Sequence, residues 1–235
     1  PSCSVPARNA PLGAGEGRAV KADYAGRRQR AWQNPTGMLF PISDASAVGA
    51  TPEQRRREYE ARWAKGGVTF MGSFNDLLFN EQSNETAAEF VRGKIRATVR
   101  DPALAATLSP HNIIGCKRLC VDTGYYATYN RDNVTLVDVS DSPIEAITER
   151  GVKAAGRAYE FDALILATGF DAMTGALLKV DIRGRAGLAL RDKWRDGPRA
   201  YLGLAMAGFP NLVTITGPGS PSVLASMIQA IEQHV

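Results

Sequence analysis

An α/β fold that begins with helices and ends with strands is predicted by three observations on the sequence. The first half contains helix start and stop signals with amphipathic spacing between them. Short strand-like runs separated by turn residues follow after residue 111. Two continuous apolar runs then each end in a glycine turn, a pattern typical of strands buried on both faces of a parallel sheet. With only two such strands, a complete doubly wound domain is not expected.

The helical segment is predicted mainly from its caps. Residues 1–49 are rich in Pro, Gly and Ala and are expected to be mostly loop, with one short helix over residues 20–32. Thr51 and Gln54 have the spacing of a capping box, and the helix that they begin is expected to end at Gly66. Further helices are predicted over residues 74–79, over residues 85–99 and from residue 101 onward.

The strands are expected in the second half of the chain. Short ones are predicted over residues 134–137 and 144–148, with a turn at residues 149–151 that begins a hairpin. The apolar runs are residues 163–167 and 212–215. After the second run, Ser220 as N-cap and Pro221 in the first turn predict a helix that continues to Val235.

Composition excludes several classes of protein. Apolar residues make up 44% of the chain and charged residues 22%, as in soluble globular proteins, and no apolar run is long enough to span a membrane. Three cysteines without a CxxC pair and two distant histidines predict neither a disulfide framework nor a metal site. Arg55, Arg56 and Arg57 are flanked by acidic residues, so neither a nucleic-acid partner nor a membrane partner is expected. Free thiols, with no leader peptide after Pro1, favour the cytoplasm.

Three segments are candidates for ligand binding, each with a simpler structural interpretation. The glycine turn at residues 217–219 joins a strand to a helix and could present N–H groups to an anion, or it could be a plain turn. Residues 165–171 end the first apolar run with a glycine, where a flat ligand could approach the backbone. Lys117 and Arg118 lie between apolar residues near three tyrosines, and from local sequence alone a surface charge pair is the simpler interpretation.

Together these segments resemble the Baeyer–Villiger monooxygenases, flavin enzymes that use NADPH and O2. The matching runs are spread along the chain: residues 5–9, 63–84, 117–119, 125–134, 166–177, 181–184, 197–203, 208–212 and 217–221. Residues 65–76 are most similar to members that act on cyclic ketones. The two Gly-rich phosphate fingerprints of the family and the signature between them do not occur in this sequence. The resemblance therefore implies an internal fragment of a longer enzyme, and the fragment alone is expected to be inactive.

The resemblance also implies a reaction and a set of site residues. NADPH reduces FAD, and one oxygen atom of O2 is inserted next to a ketone carbonyl to give an ester or lactone. Arg118 is implied to be the catalytic cation and to contact the cofactors, Lys117 to face a phosphate of NADPH, and Met227 to meet the flavin through its backbone. Three further residues are implied to lie near the active site: Pro221, Ser222 and Leu224. No metal is implied, and the implied partners are a small ketone and O2.

The fold implied by the resemblance is a partial flavoprotein with two incomplete, Rossmann-like dinucleotide-binding domains. Residues 1–113 are assigned to a helical segment inserted in the NADPH-binding domain, residues 114–161 to returning strands of that domain, and residues 162–235 to the returning part of the FAD-binding domain. Two alternatives remain open. One is a flavin monooxygenase that oxidises nitrogen or sulfur, which should lack the runs at 117–119 and 131–134. The other is a catalytically inactive binding module derived from a flavoprotein.

Overall fold

The computed structural model describes residues 3–34, 36–220 and 225–235, and the chain forms two compact units. The first unit comprises Pro1–Gly13 and Phe40–Ile165, and the second comprises Ala14–Leu39 and Leu166–Val235. The described helices are α1 Ala14–Ala22, α2 Tyr24–Trp32, α3 Pro52–Lys65, α4 Glu81–Thr98, α5 Pro102–Leu108, α6 Tyr125–Thr128, α7 Gly175–Leu178, α8 Leu190–Lys193 and α9 Met227–His234. The described strands are β1 Ser4–Pro6, β2 Cys120–Asp122, β3 Ile144–Thr148, β4 Gly151–Ala154, β5 Arg157–Glu160, β6 Ala205–Met206 and β7 Phe209–Val213.

The helices of the first unit follow the capping signals of the sequence. The Thr51 side chain accepts a hydrogen bond from the Gln54 backbone N–H, and the Gln54 side chain accepts one from the Thr51 N–H, so the predicted capping box of α3 is confirmed. The helix ends at Gly66, whose positive φ of 69° suits glycine. The predicted helix over residues 85–99 is α4, which begins four residues earlier because Asn80 caps it.

The core of the first unit lies between α3, α4 and the 3₁₀ turn Gly67–Gly72. Tyr59 and Phe70 are almost wholly buried, and their ring centroids are 5.7 Å apart. Phe90 of α4 stacks on Phe70 at 5.9 Å and closes the cluster. Aromatic pairs of this kind add to the free energy gained by burying their surface, so this region has an extensive core of its own.

The strands of the first unit form two separate small sheets. Strand β1 pairs in parallel with β2, in the register Ser4 to Cys120. Strands β3, β4 and β5 form an antiparallel sheet in that order, which confirms the predicted strand at residues 144–148 and its hairpin.

The second unit has a smaller core. Among the residues that the structure describes, its buried side chains are Leu190, Trp194, Met206 and Phe209. Strands β6 and β7 pair antiparallel, so the apolar run at residues 212–215 contributes to a short hairpin and not to a parallel sheet. The helix predicted over residues 20–32 is two helices, α1 and α2, which Asp23 separates.

Three predicted elements are wrong. Residues 74–79 form turns, because the Asp76 carbonyl accepts the N–H groups of Phe79 and Asn80 and the next helix begins only after Asn80. Residues 134–137 are irregular. Residues 163–167 form no strand and are exposed, with Ile165 at 87%, because no described strand lies beside them to pair with their backbone.

The last helix is described only in part of its predicted range. Pro221 lies outside the described residues, and α9 begins at Met227 with Ser226 at its N-cap. Of the helices that the structure describes, none has the length and hydropathy that crossing a bilayer requires.

Candidate functional site

Lys117 and Arg118 lie on a turn that is held at both of its ends. The turn comprises residues 115–119 and is called here the Lys117–Arg118 turn. On its N-terminal side, Ile114 is buried and faces Lys117 in an isolated bridge, and the Cys116 N–H donates to the Ile113 carbonyl at 3.2 Å. On its C-terminal side, Cys120 begins β2 and donates its N–H to the Cys3 carbonyl. The turn is therefore a short connection between two anchored positions.

Gly115 shapes the start of this turn. Its φ is +97°, in the region that favours glycine. A Cβ added there would lie 2.6 Å from Leu78 Cδ2 and 3.4 Å from Met71 Cε. The backbone thus passes directly over two side chains of the first unit, and only glycine fits the approach.

The two cations of the turn are exposed. Neither the Lys117 nor the Arg118 side chain forms an ion pair or hydrogen bond with a described residue. By contrast, the buried Arg62 and Arg92 are both paired with glutamates and bonded to backbone carbonyls. Adjacent unpaired cations repel each other and favour a bound anion, with which they form charge-assisted hydrogen bonds. The turn is suited to an anionic ligand.

A group of tyrosines follows β2 in the same unit. Tyr125 contacts Tyr126 and Tyr129, with both pairs of ring centroids 5.2 Å apart. The Tyr129 hydroxyl donates to the Tyr125 hydroxyl at 3.0 Å. Burial, followed by this hydrogen bond, raises the pKa of Tyr129 to about 12. The Tyr129 phenol therefore stays neutral at physiological pH and can act as a hydrogen-bond donor, not as an anion.

The other predicted site residues belong to the second unit or lie outside the described residues. Met227 is half-buried and is the first residue of α9, and the Ser226 N–H before it donates to the Thr36 carbonyl at 2.7 Å. Pro221, Ser222 and Leu224 lie outside the described residues. The structure therefore brings together Lys117 and Arg118, while Met227 is described only within its own unit.

The two glycine segments of the second unit differ in packing. Gly217 packs against Gly203, and a Cβ on Gly217 would lie 2.5 Å from Thr214 Oγ1, so contact within the protein accounts for this glycine. At Gly169, with φ of +84°, no atom lies within 4 Å of an added Cβ. The next residue, Phe170, is 99% exposed. Packing thus explains Gly217, whereas Gly169 is open to solvent.

Sequence reasoning missed Asn84, which contacts the base of the Lys117–Arg118 turn. The Asn84 side chain accepts a hydrogen bond from the Ile114 N–H and donates one to the Ile114 carbonyl, each at 2.9 Å. A signal was present, because Asn84 falls on the apolar stripe of α4 with Ala88, Val91 and Ile95. A polar residue at a core position indicates a specific hydrogen-bonding role. Within the described ranges, no group of three or more His, Cys, Asp or Glu side chains could hold a metal ion.

Comparison with known proteins gives consistent matches. No family model matches the chain. A Baeyer–Villiger monooxygenase from Pseudooceanicola batsensis is 39% identical over 220 residues, which are 92% of this chain and 40% of that protein. A cyclohexanone 1,2-monooxygenase from Acinetobacter is 39% identical over 237 residues, 99% of this chain and 43% of that protein. A phenazine N-monooxygenase from Lysobacter antibioticus is 35% identical over 224 residues, 92% of this chain and 41% of that protein.

Solved structures of related enzymes also match the fold of this chain. An oxidised steroid monooxygenase bound to NADP is 47% identical with a TM-score of 0.90, over 99% of this chain and 45% of that one. The enzyme OTEMO in complex with FAD and NADP is 36% identical with a TM-score of 0.94, over 100% of this chain and 44% of that one. The chain therefore spans less than half the length of the proteins that it matches.

Proposed function

The chain is homologous to the Baeyer–Villiger monooxygenases along 92–100% of its length, and on this premise we propose that it forms part of an enzyme that oxygenates ketones. The proposed reaction uses FAD, NADPH and O2 to insert one oxygen atom next to a ketone carbonyl, which gives an ester or lactone. A cyclic ketone is the proposed substrate, because relatives named for cyclohexanone and cyclopentanone match 94–99% of the chain. The observation that carries this proposal is a pair of adjacent cations, without an ion-pair partner among the described residues, on an anchored turn.

The residues present fit the two cofactors. NADPH is strongly anionic, and Lys117 and Arg118 are adjacent cations without a competing carboxylate among the described residues. For FAD, the first turn of α9 at Met227 has no side-chain cap from the described part of the chain, so its backbone N–H groups are offered to an acceptor such as a flavin carbonyl. When bound, FAD reduced by NADPH supplies the oxygen-activating chemistry.

Lys117 and Arg118 have different proposed roles. The Arg118 guanidinium would supply a fixed cation that stabilises negative charge developing during oxygen insertion. The planar guanidinium also donates its hydrogen bonds in fixed directions, whereas the ammonium group of a lysine does not. Lys117 provides a mobile point charge that suits the 2′-phosphate carried by NADPH and not by NADH. Pro221, Ser222 and Leu224 are proposed to lie near the substrate.

The assignment of segments to domains is also a proposal. Residues 1–113 and 114–161 are assigned to the NADPH-binding domain, as its helical insertion and its returning strands, and residues 162–235 to the FAD-binding domain. The proposed partners are the ketone and O2, without nucleic acid or membrane, in the cytoplasm. The similarity of the chain to NADP- and FAD-bound structures supports the cofactor part of this assignment.

Oxygenation of nitrogen is the second candidate function. It is favoured by the 35% identity to a phenazine N-monooxygenase over 92% of this chain. Both candidates use the same cofactors, so only the product separates them. An ester or lactone from a cyclic ketone supports the first function, and an N-oxide from a phenazine supports the second.

The test is made in the complete encoded protein that contains this chain, with Arg118→Ala. Ketone oxygenation should fall by about 10²–10³-fold, since one preorganised electrostatic donor is lost, while FAD stays bound. Consumption of NADPH should continue, with oxygen released as hydrogen peroxide. Arg118→Lys should restore little activity, because an ammonium does not reproduce the planar fork.

The matched control is Arg56→Ala, which removes another exposed arginine without a described partner, on α3. The assay compares ester formation with peroxide release in one reaction. A normal ester yield from Arg118→Ala would remove Arg118 from the reaction and leave the proposal without its main support.

A further inference from the structure

Asn84 is a buried side chain of α4 that bonds to the chain thirty residues further on. It is 3% exposed. Its amide nitrogen donates to the Leu77 carbonyl at 2.8 Å and to the Ile114 carbonyl at 2.9 Å, and its amide oxygen accepts from the Ile114 N–H at 2.9 Å. Both amide hydrogens and one lone pair are used, so the side chain is held in one orientation.

The two bonds to Ile114 fix that residue as a strand partner would. Because one bond is accepted and the other is donated by the same residue, they restrain both the position and the rotation of the Ile114 backbone. The Ile114 side chain is 1% exposed, so packing adds to this restraint. Ile114 thus occupies a single position relative to α4.

Only Gly115 and Cys116 separate the restrained Ile114 from Lys117 and Arg118. Gly115 follows Ile114 directly and lies over Leu78 and Met71, and Lys117 is bridged back to Ile114. A shift of Ile114 would therefore move the base of the Lys117–Arg118 turn. The opposite end, at Cys120, is held by β1 and does not depend on Asn84.

We infer that Asn84 is a positioning residue, which acts through the backbone of Ile114 to hold Lys117 and Arg118 where they meet the nicotinamide dinucleotide and the reacting oxygen. The inference rests on the proposed function for the identity of that ligand. Asn84 contacts neither ligand nor substrate in this role. An amide is the group required, since a carboxylate at this position loses both donated bonds and an aliphatic side chain loses all three.

The first measurement is amide hydrogen exchange in the complete encoded protein. Asn84→Ala should raise the exchange rate of the Ile114 and Cys116 amides by about tenfold or more, since the bond from the Ile114 N–H to Asn84 is lost and the start of the turn opens more readily. Ser83→Ala is the matched control. Ser83 is also buried on α4, but its hydroxyl donates to Asp76 Oδ2, so its loss should leave these two amides protected.

The second measurement separates positioning from stability. Asn84→Ala should raise KM for NADPH and lower the ratio of ester to hydrogen peroxide, each by about ten- to a hundredfold, because a displacement near 1 Å is enough for such losses. Ser83→Ala should change neither quantity, even if it lowers the melting temperature equally. In the double variant Asn84→Ala with Lys117→Ala, the losses in NADPH affinity should not add, because both act at the same turn.

Failure of this inference and failure of the proposed function give different results. If Arg118→Ala uncouples the reaction but Asn84→Ala behaves like Ser83→Ala in both measurements, the positioning role is overturned. If Arg118→Ala changes nothing, the proposed function fails, and exchange at the Ile114 and Cys116 amides still tests whether Asn84 restrains the turn. If Asn84→Ala does not fold, Asn84→Leu replaces it, since it fills the space of the side chain without burying a charge and loses all three hydrogen bonds.

Discussion

The aromatic core beneath α3 and α4 and the segment at residues 163–170 are both apolar and lie in opposite environments. Phe70 in the core is fully buried, with three other aromatic rings within 6.0 Å of its own. Phe170 is 99% exposed, and Ile165 is 87% exposed. A helix makes its backbone hydrogen bonds within itself, so it needs a neighbour on only one face. A strand of a parallel sheet needs a partner on each side, and the described residues offer none to residues 163–167.

The difference between the two regions shows how much an apolar sequence pattern can predict. In both regions the pattern indicates that the apolar side chains are to be buried. In the helical region the pattern is enough to predict the element, because the backbone hydrogen bonds of a helix lie within the helix itself. In residues 163–170 the pattern predicts a strand that needs neighbouring strands, but it does not identify which residues would form them.

The same substitution in the two regions should have very different effects. Phe70→Ala should lower the free energy of unfolding by about 3–5 kcal/mol, since it leaves a large cavity among Tyr59, Trp63 and Phe90. Phe170→Ala removes an almost fully exposed side chain and should change the free energy of unfolding by less than about 0.5 kcal/mol. Urea unfolding of the 235-residue chain, monitored by circular dichroism, measures both. A large loss from Phe170→Ala would show that this segment is covered in solution.

Asp76 should contribute to the stability of the helical region in a pH-dependent way. Burial raises the pKa of the Asp76 carboxyl, but hydrogen bonds from the Ala47 N–H, the Ser46 hydroxyl and the Ser83 hydroxyl outweigh it and hold the pKa below its ordinary value of 3.8. The stabilisation is therefore fully present above the unfolded pKa and is lost as the pH falls through the lower folded value.

Asp76→Ala should lower the free energy of unfolding by about 1.5–3 kcal/mol at pH 7, the range for hydrogen bonds to a charged group. The difference between the two proteins should shrink as the pH falls from the unfolded pKa towards the lower folded value, because the unfolded chain takes up its proton first. Unfolding at pH 7, 4 and 2.5 checks this. A difference that stays constant across these values would mean that the charge of Asp76 does not stabilise the fold.

Lys117 is an exposed charged residue, and its substitution should weaken the binding of NADPH without lowering the stability of the protein. In the complete encoded protein, Lys117→Ala should weaken NADPH binding by about 1.5–3 kcal/mol, or roughly ten- to a hundredfold, and NADH binding much less. The melting temperature should hardly change, because the side chain has no described partner. Titration with both coenzymes measures the contrast. Equal losses for NADPH and NADH would assign Lys117 to the surface charge of the protein.

The sequence predicted the family and the general fold, and the reasons differ from element to element. The resemblance to the Baeyer–Villiger monooxygenases, with its α/β fold class, is confirmed by the matches in sequence and structure. The capping box at Thr51 and Gln54 was predicted because both partners lie within one turn. The apolar stripe of α4 was predicted because its spacing is a local property.

The wrong predictions concern residues whose partners are distant. Residues 74–79 have the composition of a helix, yet Asp76 is bonded to Ser46 and Ala47, about thirty residues earlier, and this holds the segment as turns. Asn84 was overlooked for the same reason, since its partner Ile114 is far along the chain. The roles of Lys117, Arg118 and Met227 came from the resemblance alone and stay predictions.

The bond between Asn84 and Ile114 also has a consequence for the entropy of the chain. Closing a flexible loop of thirty residues reduces the conformational freedom of every residue in it, and the penalty grows with the logarithm of loop length. Here most of the intervening chain belongs to α4 and α5, whose residues are already ordered by their own hydrogen bonds. The hydrogen bonds between Asn84 and Ile114 therefore cost little further conformational entropy. A long-range contact from helix α4 thus orders the start of the Lys117–Arg118 turn at a small cost in conformational entropy.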